Sequence, residues 1–173
     1  MASSDLGTLR EVDNGYELRF ERHFEQPVEE VWQAITEPDH LADWIGASEV
    51  DLRPGGRIKI DDAGGAGIDG EVLEVKEPEL FSFKWDSKEW GDGGPVRFEL
   101  SEDEGGGTLL VFTHVAPAAG FEAYRSKTLA GWHYLLDLLG SAIAGPSRTF
   151  AIAEWQAVHL RYAGSTVAVA TRS

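Results

Sequence analysis

The hydrophobic pattern changes period along the chain, and the changes mark its elements. From Gly15, apolar residues alternate: Leu18, Phe20 and Phe24 fall on one side of 16–24, as in a half-buried strand. After Pro27 the spacing becomes helical, with Val28, Val31, Trp32 and Ile35 on one face. Pro27 suits a first helical turn, and Glu29 and Glu30 suit its positive dipole end. Pro38 stops this helix, and a second short one is expected over 39–44. Alternation then returns. Strands are expected at 48–52 and 57–60, joined by the turn Arg53-Pro54-Gly55-Gly56, then around Val72, Leu73 and Val75. Three more follow: 80–85, where Phe81, Phe83 and Trp85 alternate, then Val96, Phe98 and Leu100, then Leu110, Phe112 and His114. Gly-rich or acidic loops occupy 61–67, 86–95 and 101–107. From Phe121 to Ala144, Leu129, Trp132, Leu136, Leu139 and Ile143 form a long helical stripe that Gly145-Pro146 ends. Ile152, Trp155, Val158 and Tyr162 predict one more helix, with an extended end at 166–170.

The order strand, two short helices, about six meandering strands and one long helix reads as an α+β domain. Short connections make the sheet antiparallel, and its one apolar face needs the long helix as cover. The expected divisions are a flexible N-terminus at 1–14, the domain at 15–145 and a C-terminal extension at 146–173. The inward positions are aromatic: Phe20, Phe24, Phe81, Phe83, Trp85, Phe98, Phe112 and Trp132. Two readings follow. The rings are a packed core, or they line a cavity between sheet and helix with a few polar groups for orientation.

Composition narrows the function classes. At 173 residues, one domain is expected. Cysteine is absent, which excludes disulfides, thiolate metal sites and a Cys nucleophile. The net charge of −15 disfavours nucleic acid and anionic membranes as partners. No run approaches a membrane span, and the first ten residues lack the basic-then-apolar order of a signal peptide, so a cytoplasmic protein is expected.

A family resemblance is carried by Glu21-Arg22-His23-Phe24-Glu25-Gln26-Pro27-Val28-Glu29-Glu30-Val31-Trp32-Gln33-Ala34-Ile35-Thr36. It continues in Pro38-Asp39-His40-Leu41-Ala42-Asp43-Trp44, Leu52-Arg53-Pro54-Gly55-Gly56-Arg57, Gly70-Glu71-Val72-Leu73-Glu74-Val75 and Leu80-Phe81-Ser82-Phe83-Lys84-Trp85. It ends with Gly107-Thr108-Leu109-Leu110-Val111-Phe112-Thr113-His114 and Gly131-Trp132. In this order, over about 16–145, they resemble the domain related to the activator of Hsp90 ATPase, in the START/Bet v 1-like (polyketide cyclase-like) superfamily. The resemblance implies a helix-grip fold with an internal hydrophobic cavity. The chain departs from the family's frequent Trp-Trp-Gly-Pro run, having Asp43-Trp44-Ile45-Gly46-Ala47 instead, and its tail is longer. The eukaryotic activator makes much of its chaperone contact through a separate N-terminal domain. A chain of 173 residues has no room for one, which weakens the expectation of an Hsp90 partner.

The candidate chemistry is sparse. His23, His40, His114, His133 and His159 show no pair at metal-ligand spacing, and no phosphate-cradling or nucleophile-elbow motif occurs, so neither metal nor cofactor is expected. His114 shares a face with Leu110 and Phe112 and reads either as a ligand or acid/base group, or as a core histidine bonded to backbone. His133 and Asp137 lie four apart on the long helix, as a proton-transfer pair or as a helix ion pair. Glu71, Glu74 and Glu99 should face water, Tyr124 could close a cavity mouth, and Trp90 stands in a Gly-rich loop. The first reading is therefore a binding module, with Phe83, Trp85, Phe98, Phe112, Leu129, Trp132 and Leu136 supplying apolar area and His114 and His133 polarity. The second is a cyclase or aldolase-dehydratase-like enzyme, as the superfamily also contains, using His114 or His133 with Asp137. The third is a protein-interaction module. Trp155 and Tyr162 on the tail helix offer either a homodimer contact or a cap over the cavity.

Overall fold

The computed structural model describes residues 6–62, 67–88, 91–164 and 169–170, so Trp90 and 166–168 lie outside the described residues. Nine strands form one sheet in the order β3-β4-β5-β6-β7-β8-β2-β1-β9. The meander runs through β3 (Gly46–Val50), β4 (Arg57–Asp62), β5 (Ile68–Lys76), β6 (Leu80–Lys84), β7 (Pro95–Glu102) and β8 (Thr108–Pro117), all antiparallel. β2 (Gly15–Phe24) closes against β8, pairing Phe20 with Phe112 and Leu18 with His114.

The N-terminal segment expected to fray instead contains β1 (Thr8–Val12), which pairs with β2 from Thr8↔Arg19 to Val12↔Gly15. Only Leu9 turns a fully buried side chain inward from it, so no apolar alternation announces the strand. β9 (Val169–Ala170) adds to β1 in parallel.

The crossover between β2 and β3 carries α1 (Val28–Thr36) and α2 (Pro38–Leu41). α1 buries Val31, Trp32 and Ile35 as its spacing predicts, with Trp32 edge-on to Phe81. The second helix is shorter than the expected 39–44. The chain turns after Leu41, and Trp44 Nε1–H donates to the Ala34 carbonyl at 2.8 Å, closing α1 and α2 into one unit. Glu71, Glu74 and Glu99 lie on the solvent side, where Lys84 and Arg97 pair with them.

α3 (Phe121–Ala144) lies in the grip of the curved sheet, with the predicted bounds. Leu129, Trp132, Leu136 and Leu139 are buried in one core with the rings of β6 to β8, where Phe81, Phe83, Phe98 and Phe112 pack in stacked, tilted and edge-on pairs at centroid separations of 5.0 to 6.4 Å. α4 (Ile152–Ala163) runs back along α3: Tyr134 O–H donates to Glu154, and Ser126 pairs with His159. α3 is therefore buried on two sides, which explains its buried Tyr134 and His133. No helix among the described residues is long and apolar enough to cross a membrane.

Candidate functional site

At one end of the grip the packing opens into a half-open cavity of about 640 Å³. One wall is the end of β8, with His114, Ala116 and Pro117, continuing to Ala119. A second wall is Trp85 after β6 and the loop residues Asp92 and Gly93. α3 supplies the third with Tyr124, Lys127, Thr128, Gly131, Trp132 and Leu135. Tyr124, Lys127, Thr128, Gly131 and Leu135 recur at three- and four-residue spacing, so they form one helical stripe beside the core stripe.

The floor is aromatic and held in place. Trp132 lies 4.2 Å from Phe112 and 4.6 Å from Trp85, centroid to centroid. Its Nε1–H donates to His114 Nδ1 at 3.0 Å, and His114 Nε2–H donates to the Gly93 carbonyl at 2.7 Å. Both imidazole nitrogens are thereby used, which fixes the neutral Nε2–H tautomer. Burial pushes the His114 pKa down to about 4, against a smaller opposing pull from the Gly93 carbonyl. The loop reaches His114 because Gly94 adopts a φ of +81°, and a Cβ there would stand 1.9 Å from the Val115 carbonyl oxygen. Gly131 acts differently: a Cβ there would meet nothing within 4 Å, so its missing side chain is part of the open space.

Of the nine residues expected to form a binding site, the cavity gathers Trp85, His114 and Trp132. Phe83, Phe98, Phe112, Leu129 and Leu136 are buried in the packed core beside it, and His133 lies on the α4 side of α3. Lys127, Thr128, Gly131 and Leu135 were not foreseen, because from sequence they sit on the solvent side of the apolar stripe. The signal that could have found them is a stripe at 124, 127, 128, 131 and 135 with a glycine at its centre.

His133 belongs to a second polar cluster. Its ring is fully buried, edge-on to Phe20 and Tyr162. The Gly7 N–H donates to the Tyr162 hydroxyl oxygen at 2.8 Å, and that hydroxyl is hydrogen-bonded to His133 Nδ1 at 2.8 Å. His133 Nε2 stands 3.4 Å from Asp137 Oδ2, within ion-pair range but poorly aligned for a hydrogen bond. Asp137 Oδ1 lies 3.8 Å from the buried Arg22. The expectation of a tail helix capping the cavity is corrected here. No described residue of α4 lines the cavity, because Tyr162 is drawn to Gly7 and His133 on the other flank.

A sheet curved around one long helix, with a cavity at one end of the grip, defines a helix-grip protein of the START/Bet v 1-like superfamily. Within it the chain belongs to the family described as Activator of Hsp90 ATPase homolog 1-like protein, which matches residues 25–144. Among solved structures it is similar to CalU16 from Micromonospora echinospora, with 27% identity and a TM-score of 0.72 over 91% of this chain and 93% of that one. It is also similar to EF2215 from Enterococcus faecalis, a conserved protein of unknown function, with 23% identity and a TM-score of 0.71 over 91% and 88% of the two chains. A third similarity is to DynU16, a protein of the dynemicin biosynthetic locus, with 25% identity and a TM-score of 0.67 over 80% of this chain and 51% of that one. No curated protein matches the chain.

Proposed function

We propose that this protein is a cytoplasmic binding module that holds a small hydrophobic or aromatic molecule in the half-open cavity, with no chemical step. The observation that carries this reading is the ready-made space beside Trp85 and the edge of Trp132, with Gly131 leaving it unfilled. A volume of about 640 Å³ falls within the roughly 300–1,000 Å³ of small-molecule sites. Burying a few hundred Å² of apolar ligand at about 25 cal/mol per Å² supports micromolar binding after association costs. The family and its helix-grip fold suit a ligand-binding role.

The histidines favour binding over proton transfer. His114 has both nitrogens committed and stays neutral at pH 7, so protonating Nδ1 would break its bond from Trp132. His133 is sealed between α3, α4 and β2, with no face on the cavity. The test is fluorescence titration with the neutral probe N-phenyl-1-naphthylamine. Wild type should bind it, and Gly131→Leu, whose Cβ meets nothing within 4 Å and whose side chain enters the open space, should weaken binding about tenfold or more. Unchanged binding in Gly131→Leu would place the site elsewhere.

A further inference from the structure

Among the described residues, the cavity wall carries one lysine, Lys127, that makes no ion pair. Lys59, Lys76 and Lys84 stand 3.5, 2.5 and 3.6 Å from Asp61, Glu79 and Glu71. Among the described residues, Lys88 and Lys127 have no such partner, and of the two only Lys127 lines the cavity. Lys127 is thus without a partner at ion-pair range although the chain carries a net charge of −15. The local sequence enforces this. The positions three and four residues from Lys127 are Ala123, Tyr124, Ala130 and Gly131, so α3 offers no carboxylate within side-chain reach. Asp92, on the opposite wall, accepts the Gly94 N–H at 2.9 Å and keeps its negative charge, but it makes no ion pair with Lys127.

Lys127 is one turn from Gly131 on the same helical stripe, so the two border the same open space. A flat molecule packed against Trp85 in that space would have Lys127 on the facing wall. We infer that the cavity takes an aromatic ligand bearing an anionic group, a carboxylate, sulfonate or ionised phenol, with the ring against the half-buried Trp85 and the anion at Lys127. This rests on the cavity-binding reading and narrows it to a ligand class. The ammonium acts as a point charge with three donors, so it selects for charge more than for a particular anion geometry.

The experiment compares two naphthalene probes of similar size. 1-Anilinonaphthalene-8-sulfonate carries the anion, and N-phenyl-1-naphthylamine lacks it. Both are titrated against wild type, Lys127→Gln and Lys127→Arg at low ionic strength, with mutual displacement showing that they share a site. Lys127→Gln should weaken the sulfonate probe about threefold or more beyond any effect on the neutral probe, while Lys127→Arg keeps the wild-type ratio between the two probes. Neutral-probe binding with no sulfonate-specific loss in Lys127→Gln would overturn the anionic ligand class and leave the binding cavity standing. No binding of either probe by wild type would overturn both. Lys127 is exposed and bears no packing load, so the variants keep the fold.

Discussion

The chain of two hydrogen bonds through His114 shows how one residue can be decisive without being reactive. In the fold its imidazole resists protonation down to about pH 4, while in the unfolded chain it takes up a proton near 6.5. Between those values the unfolded state binds more protons, so this residue makes stability rise with pH across the window and fall as pH drops through it. The loss on going from pH 7 to pH 4 is roughly 3 kcal/mol from His114 alone. Urea unfolding at a series of pH values should show that slope in wild type. It should be flattened in His114→Gln, which cannot titrate; an equal slope in both proteins would assign the effect to other groups. Residue-scale chemistry was partly legible in the sequence. Alternation placed His114 inward beside Phe112, but nothing in spacing alone reveals that Gly93 supplies the acceptor, since that contact depends on the backbone of Gly94.

At the scale of elements, periodicity succeeded where it was long and failed where it was short. α3 was readable end to end because its apolar stripe repeats over 24 residues before Gly145-Pro146. β1 was not, because a single fully buried side chain gives no period. The cavity stripe was missed because a wall of a half-open space looks, in sequence, like a helix face in water. The extension was legible as a helix but not in its docking, which hangs on Tyr162. That hydroxyl joins the amide before β1 to the imidazole on α3, so it ties three distant segments together. Tyr162→Phe should leave both groups without this partner and lower stability by about 2 kcal/mol. Chemical denaturation measures it, and faster hydrogen exchange at Gly7 would locate the damage to this tie.

For the whole molecule, the surface charge sets a background that every binding event shares. The ion pairs on the outer face of the sheet, such as Arg97 with Glu74 and Glu99, are exposed and contribute little. The excess of fifteen negative charges repels itself in the compact state. Added salt should therefore raise stability, by about 1 kcal/mol between 20 and 300 mM sodium chloride, because screening relieves the repulsion more than it weakens exposed pairs. Urea midpoints at the two concentrations check this. A fall would mean that the exposed pairs matter more than the net field.

The stripe along the outer flank of α3 has a practical consequence. Tyr124, Lys127, Thr128, Gly131 and Leu135 touch the cavity, yet the buried layer of rings is built from other positions. Five codons on one helix can thus be varied together to retune what the protein captures, with the scaffold left to carry the load.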